Sequence, residues 1–265
     1  MINPLRGLES IAPLYDVFLI DIIGVLHEDG PLFPKAVDAA NHLLDRKKTV
    51  VFVSNTTKFQ RNVKDDLKSK GLENEFPIVT SGDTVRALYA KDQPGSKCYH
   101  WGHPCQKSMP SILEIPHVPS LDQADWVLLT AFADDRGEEN IYDPLMATIR
   151  QRSMPVWCVN PDLYAPYPQG RRRCAGFWAQ RLCQKFGHEN IRYIGKPYGD
   201  IYQKAKNFYR PEHQKKDVRT LVIGDTWHTD IAGAISEKFD SLWIHSCSID
   251  LHETYPTYVC PALRW

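Results

Sequence analysis

The chain has 265 residues, of which 43% are hydrophobic, enough to bury a core without disulfides and too many for a disordered chain. Its 32 basic and 32 acidic side chains cancel, so composition gives no general attraction to nucleic acid or to an anionic membrane. No segment has the roughly 20 apolar residues that span a bilayer, and the first residues lack a basic flank followed by an apolar run. We therefore expect a cytoplasmic protein with no nucleic-acid or membrane partner.

The seven cysteines are odd in number and include no C-x-x-C pair. This pattern disfavours both a disulfide framework and a thiolate zinc site. We expect reduced and mostly buried thiols.

Short apolar runs alternate with segments of helical period, which is the pattern of a parallel sheet covered by helices. The runs at 17–21 and 49–54 predict buried strands. The segment 34–47 between them predicts a helix with alanines and leucines on one face. These three elements together predict a βαβ unit.

The middle of the chain repeats this alternation. Apolar runs near residue 98, at 125–132 and at 156–160 predict three strands, and Asp143 followed by a proline predicts a helix start. A second helix, ended by a glycine at 187, is predicted by an apolar stripe formed by Ala175, Trp178, Ala179, Leu182 and Phe186.

The last part of the chain returns to the pattern of the first. The runs at 220–225 and 241–246 predict two further buried strands, with Thr229 as the N-cap of a helix between them. We therefore predict an α/β fold with two domains. A doubly wound, Rossmann-like core comprises 1–80 and 190–265, and a second α/β domain, 81–189, is inserted into it.

Polar side chains follow predicted strands at four points of the chain. Because the carboxyl ends of parallel strands meet at one edge of a sheet, these groups are expected to converge there. They comprise a carboxylate, a hydroxyl with an amide, an ammonium and a second carboxylate, a set that fits phosphoryl transfer. In chain order they are Asp21, Ser54 with Asn55, Lys196 and Asp225.

The charge of each group predicts its role in phosphoryl transfer. Asp21 and Asp225 supply the hard oxygen ligands that Mg²⁺ prefers, and the ion neutralises the phosphoryl oxygens. Lys196 adds a further positive charge, and Ser54 with neighbouring backbone amides holds the remaining oxygens. Asp21 then attacks phosphorus in line and forms an aspartyl-phosphate, which water hydrolyses.

The order of these motifs resembles that of the haloacid dehalogenase superfamily. The resemblance is closest to its class with a large α/β cap, the NagD-like and 4-nitrophenylphosphatase-like hydrolases. This resemblance covers nearly the whole chain. It rests on six segments: DIIGVL at 21–26, VSNTT at 53–57, TSGDT at 80–84, NPD at 160–162, GKP at 195–197 and GDTWHTD at 224–230.

The resemblance implies the same roles for the four groups and adds further ones. Asp230 matches a second acid that orients the metal waters or the lysine, and the backbone carbonyl of Ile23 matches a metal ligand. The cap loop implies substrate or phosphate binding by Asn160 and Asp162, together with Asn55. The family also suggests a homodimer joined through the cap.

The arginines at 171–173 lie between two glycines in the segment that resembles the cap loop. Because of this position, we expect Arg171 to bind a second anionic group of the substrate.

One position departs from the family pattern. Phosphatases of this family carry a second Asp two residues after the nucleophile, where this chain has Ile23. Losing a positioned acid–base group typically costs about 10²–10⁴ in rate. Three interpretations follow. His27 or a cap group supplies the proton for the leaving group, the substrate has a good leaving group, or hydrolysis has been lost.

The first two interpretations describe a Mg²⁺-dependent phosphohydrolase acting on a small phosphorylated metabolite. The third interpretation describes a catalytically weak or inactive protein with a phosphate-binding or regulatory role. A dinucleotide-binding oxidoreductase is disfavoured because no G-x-G-x-x-G follows the first predicted strand.

Overall fold

The structure, a computed structural model, describes residues 3–28, 30–134, 139–167, 170–214, 217–245 and 256–265. The strands are β1 (Asn3–Pro4), β2 (Val17–Ile20), β3 (Thr49–Ser54), β4 (Ile78–Thr80), β5 (Cys98–Trp101), β6 (His117–Val118), β7 (Trp126–Leu129), β8 (Ala133–Asp134), β9 (Val156–Val159), β10 (Tyr164–Tyr167), β11 (Gly170–Arg173), β12 (Ile191–Ile194), β13 (Thr220–Gly224), β14 (Asp240–Ile244) and β15 (Tyr258–Cys260). The α-helices are α1 (Pro34–Asp45), α2 (Gln60–Ser69), α3 (Ser81–Lys91), α4 (Met109–Ile112), α5 (Asp143–Gln151), α6 (Ala175–Phe186), α7 (Gly199–Lys206) and α8 (Ala232–Ser236).

The chain divides into two compact units. The first comprises Met1–Ser54, Lys58–Thr80 and Lys196–Trp265, and the second comprises Asn55–Thr57 and Ser81–Gly195. The second unit extends beyond the expected limit at residue 189. It includes β12 because that strand pairs with β9 of the same unit.

The first unit is built on a parallel sheet of seven described strands in the order β1-β15-β14-β13-β2-β3-β4. Its central strands are buried on both faces, with alternate side chains pointing to opposite sides. Phe18 and Ile20 of β2 pack in the cluster that includes residues of α1 and α2. Val17 and Leu19 pack with residues of α7 and α8. The predicted doubly wound α/β architecture is therefore confirmed.

Helix α1 forms where its sequence pattern predicts it. Pro34 occupies the first turn, where its missing N–H costs no hydrogen bond. Three alanines and a leucine form the buried face, so the helix packs closely on the sheet; they are Ala36, Ala39, Ala40 and Leu43.

The predicted strands of the last segment are present, but the helix between them begins differently. Thr229 is not an N-cap, because it lies inside a π-helical turn, Trp227–Ile231, that precedes α8. Residue 246, at the end of the predicted run 241–246, lies outside the described residues.

The second unit contains a parallel sheet of five described strands in the order β12-β9-β7-β5-β6. Helix α6 lays its predicted apolar stripe, including the fully buried Trp178, against this sheet. It ends at Gly187, whose φ of 64° is the left-handed conformation that glycine adopts at low cost.

A small antiparallel sheet, β10-β11-β8, completes the second unit. It corrects the expectation that the arginines at 171–173 lie in a loop, because they form β11 and pair with β10. Three consecutive charged residues lack the apolar alternation that predicts a strand.

Four of the six described cysteines are buried free thiols, whereas Cys105 is exposed and Cys183 partly exposed; Cys247 lies outside the described residues. Among the helices that the structure describes, none is both long and apolar enough to cross a membrane.

Candidate active site

The ends of β2 and β13 place two carboxylates side by side. The strands are hydrogen-bonded neighbours in the first unit's sheet, and Asp21 and Asp225 each follow their last residue. The Asp21 amide donates to the carbonyl of Ile223 at 2.8 Å, which continues the pairing past the end of β2. Carboxylate oxygens of Asp21, Asp225 and Asp230 lie within 4.8 Å of one another.

Lys196 brings a positive charge into this acidic cluster. Its Nζ atom lies 2.7 Å from Asp21 Oδ1 and 2.7 Å from Asp230 Oδ1. It also donates to the backbone carbonyl of Val53 at 3.1 Å, near the end of β3. The ammonium group has three N–H bonds and is thus provided with three acceptors in a buried position.

Asp230 is held by the chain around it. Its Oδ2 accepts from the Thr226 amide at 3.1 Å, and the Thr226 carbonyl accepts from the Asp230 amide at 2.9 Å. This reciprocal pair satisfies amides at the start of the π-helical turn, which is the role that the sequence pattern predicts for Thr229. The carboxylate is 1% exposed, and its other oxygen accepts from Lys196.

The charges of the cluster are unbalanced. Burial raises the pKa of Asp21 well above its ordinary value, and Asp230 and Asp225 raise it further while Lys196 opposes the shift. Burial, followed by the charge of Asp230, raises the pKa of Asp225 to about 6. Three carboxylates thus face one ammonium. This excess of hard, anionic oxygens fits a small divalent cation such as Mg²⁺.

The turn after Asp21 is fixed by backbone hydrogen bonds. The Gly24 amide donates to the His27 carbonyl at 2.8 Å, and the His27 amide donates to the Ile22 carbonyl at 3.3 Å. Neither bond uses the backbone groups of Ile23, whose proposed carbonyl ligation stays a prediction. The residue Ile23 is 36% exposed, and His27 is 6% exposed.

Close packing around the carboxylates depends on two glycines and a tryptophan that are not among the residues predicted from the sequence. A Cβ on Gly24, whose φ is 88°, would lie 2.2 Å from Asp225 Oδ2, and a Cβ on Gly224 would lie 2.0 Å from Asp230 Cγ. Trp243 Nε1 donates to the Asp225 carbonyl at 2.8 Å. The sequence signal for these glycines is their place near the two acids: Gly24 lies three residues after Asp21 in DIIG, and Gly224 directly precedes Asp225 in GDT.

Ser54, the predicted phosphate ligand, ends β3 in the first unit and is buried. The structure therefore puts it on the same sheet as Asp21, on the strand adjacent to β2. Its contact with phosphate stays a prediction.

Other predicted ligands belong to the second unit, where they bond to one another. Asn55 Nδ2 donates to Asp162 Oδ1 at 2.9 Å, and Asn160 Oδ1 accepts from the Asp162 amide at 3.0 Å. The turn also packs tightly on Gly176, whose added Cβ would lie 2.0 Å from the Pro161 carbonyl oxygen. The polar groups of the NPD segment thus stabilise its own turn, and their binding of substrate stays a prediction.

Arg171 also belongs to the second unit. Its guanidinium carbon lies 3.9 Å from the ring centroid of Tyr164 on the paired strand β10, a cation–π geometry. The structure therefore gives this arginine a partner within its sheet, and its proposed binding of a second anionic group stays a prediction.

Comparisons with known proteins show which proteins this chain resembles in sequence and in fold. A family profile for haloacid dehalogenase-like hydrolases matches residues 18–109. A solved hydrolase of the haloacid dehalogenase-like family from Brucella suis superposes with a TM-score of 0.86 at 25% identity, covering 98% of this chain and 99% of that one. The chain is thus similar to haloacid dehalogenase-like hydrolases, in sequence over residues 18–109 and in fold over nearly its whole length.

Solved structures of lower sequence identity share the fold. A p-nitrophenyl phosphatase from Archaeoglobus fulgidus superposes with a TM-score of 0.74 at 19% identity, covering 94% of this chain and 96% of that one. NagD from E. coli superposes with a TM-score of 0.70 at 17% identity, covering 94% of this chain and 96% of that one. A search of curated proteins finds no significant match.

Proposed function

We propose that this haloacid dehalogenase-like protein is a Mg²⁺-dependent phosphohydrolase that acts on a small phosphorylated metabolite. The observation that carries the proposal is the buried Lys196 bonded to two acids at the sheet edge where Asp225 also lies. The similarity in fold to solved phosphatases supports it.

The first unit would hold Mg²⁺ with the carboxylates of Asp21 and Asp225 and with the carbonyl of Ile23. When bound, the ion supplies positive charge at the phosphoryl oxygens. Lys196 adds a second positive charge, and Asp230 is a positioning residue that holds the ammonium in place. The Ser54 hydroxyl donates to a phosphoryl oxygen.

Asp21 is the proposed nucleophile. A carboxylate oxygen attacks phosphorus, and the bond from phosphorus to the leaving oxygen breaks, giving an aspartyl-phosphate. Water then attacks that phosphorus, inorganic phosphate leaves, and the carboxylate is restored. A proton from the attacking water passes to phosphate or to solvent.

The test is hydrolysis of acetyl phosphate and 4-nitrophenyl phosphate by the full chain, with Mg²⁺ and with EDTA. We expect Mg²⁺-dependent release of phosphate that Asp21→Asn abolishes. Asp92→Asn, which removes only a surface partner of Arg192, is the matched control and should retain activity. Absence of turnover with both substrates, or full activity of Asp21→Asn, would contradict the proposal.

The alternative is a protein that binds phosphorylated compounds but hydrolyses them weakly or not at all. The observation that favours it is the apolar side chain of Ile23 beside the nucleophile. Mg²⁺-dependent binding of phosphate without turnover of either substrate would support this alternative. The homodimer and the cytoplasmic location stay predictions.

A further inference from the structure

A turn of the second unit, just before α4, brings a thiol and an imidazole into contact. The turn runs from His103 to Gln106 and contains a short 3₁₀ helix. His103 Nδ1 lies 3.1 Å from Cys105 Sγ, which is within hydrogen-bond reach for sulfur. Both residues are exposed. This pair uses none of the residues that carry the proposed function.

The hydrogen bonds of His103 assign roles to its ring nitrogens. The Cys105 amide donates to Nδ1 at 3.3 Å. Because an amide N–H only donates, Nδ1 is an acceptor, and the proton of the neutral ring is on Nε2. Nδ1 is therefore able to take the proton of the Cys105 thiol. The thiolate is the nucleophilic form of cysteine, and a base within hydrogen-bond reach is a common means of producing it.

The imidazole is oriented by a third group, Phe132. The two rings stack with their centroids 4.3 Å apart and their planes inclined at 16°. The guanidinium carbon of Arg172 on β11 lies 5.2 Å from the centroid of the same phenyl ring, so the small antiparallel sheet holds Phe132 in turn. A nucleophile, a base that contacts it and a group that orients the base are the parts of an activated nucleophile in enzymes.

The backbone of the turn is fixed by the side chain of Gln106. Its Oε1 accepts from the His103 amide at 3.1 Å and from the Thr130 hydroxyl at 3.1 Å. Its Nε2 donates to the Thr57 hydroxyl at 2.7 Å. These bonds tie the turn to two other segments of the second unit. The contact between thiol and imidazole is therefore part of an ordered network.

The other cysteines of the second unit differ from Cys105 in access or in partners. Burial raises the pKa of Cys98 and of Cys174 to about 12, and that of Cys158 well above its ordinary value. Burial thus keeps these thiols protonated and away from solvent. Cys183 of α6 is partly exposed, and among the described residues no imidazole bonds it. It is therefore the reference for an accessible thiol without a base.

We propose that Cys105 and His103 form a modification site that reacts with low-molecular-weight disulfides. His103 Nδ1 takes the thiol proton, and Cys105 Sγ attacks one sulfur of the disulfide. The new S–S bond forms as the old one breaks, and the electron pair of the old bond goes to the leaving sulfur. That sulfur takes the proton from the imidazolium. The products are a mixed disulfide on Cys105 and one free thiol, and the exposed turn leaves room for the attached group.

The test follows each cysteine separately in the reduced full chain at neutral pH, with glutathione disulfide as the probe. Free thiols are blocked with N-ethylmaleimide at timed intervals, and mass spectrometry quantifies the mixed disulfide on each cysteine-containing peptide. His103→Asn removes the base but keeps a side-chain oxygen that accepts from the Cys105 amide as an N-cap. His117→Asn, which removes an exposed histidine of β6 in the same unit, is the matched control.

We expect Cys105 to react at least about fivefold faster than Cys183, because a free thiol is only a few per cent thiolate near neutral pH. His103→Asn should slow Cys105 by at least about fivefold and leave Cys183 unchanged, whereas His117→Asn should alter neither rate. Buried cysteines that stay unmodified in all three proteins report that the variants are folded. A smaller effect of His103→Asn on Cys105 would overturn the proposal.

Unfolding supplies a second test that needs no variant. Urea above the unfolding transition exposes every thiol, which ordinarily speeds modification, but it also removes the fixed contact between His103 and Cys105. The rates of Cys105 and Cys183 in the unfolded chain should therefore agree within about twofold. Cys105 should react more slowly in the unfolded chain than in the folded one. Faster reaction of Cys105 after unfolding would contradict the proposal.

Discussion

Replacing Lys196 with methionine tests how the first unit tolerates three neighbouring carboxylates. The lysine side chain is 3% exposed, and its Nζ lies 2.7 Å from oxygens of Asp21 and Asp230, which are 11% and 1% exposed. At an effective dielectric constant of about 20, each contact is worth about 6 kcal/mol before desolvation is subtracted. Breaking such a buried pair from one side typically costs about 3–5 kcal/mol, and we expect that loss.

The assay is urea unfolding in EDTA, followed by tryptophan fluorescence and circular dichroism, so that no metal replaces the missing charge. The expected loss moves the midpoint for the first unit down by at least about 1 M. Lys206→Met is the matched control, because Lys206 is exposed and its Nζ lies 3.8 Å from Glu237. It should cost at most about 1 kcal/mol. Equal losses for the two variants would refute the reasoning.

Gly24→Ala should lower Mg²⁺ affinity at least about tenfold in calorimetric titrations, because the added Cβ would lie 2.2 Å from Asp225 Oδ2. Gly71→Ala is the control, with a similar φ of 96° but nothing within 4 Å of the new Cβ; equal Mg²⁺ affinity in both variants would contradict this role. In the second unit, burial lowers the pKa of His100, which bonds Thr130 Oγ1, to about 4. Since the unfolded chain binds that proton near pH 6.5, His100 should reduce the unit's stability by at most about 3 kcal/mol as pH falls from 6.5 to 4. His100→Gln should flatten this part of the stability curve, and an unchanged curve by urea unfolding would refute the assignment.

The positions of two carboxylates at the edge of the sheet could be predicted because they depend on local sequence. An apolar run ending in an acid predicts a buried strand with a carboxylate at its end, and this holds for Asp21 and Asp225. Parallel pairing then brings the two together. The expectation that Asp230 orients the lysine or the metal waters came from the family resemblance. The structure places its carboxylate 2.7 Å from Lys196 Nζ.

Other features depend on contacts between distant segments. The close approach of Gly24 to Asp225 cannot be inferred from either segment alone. Thr229 has the right chemistry for an N-cap, but Asp230 bonds the free amide of Thr226 and a π-helical turn forms around both. The charged strand that contains Arg171 is held by its pairing with β10 and by aromatic rings such as Tyr164, which its own sequence does not reveal.

Transfer of phosphorus to Asp21 is the central claim, and acid-quenched mass spectrometry tests it most directly. The full chain is incubated with acetyl phosphate and Mg²⁺, quenched, and digested. The account predicts one added phosphoryl group on the peptide that contains Asp21, and none in Asp21→Asn. A phosphoryl group on another residue, or hydrolysis that continues in Asp21→Asn, would contradict it.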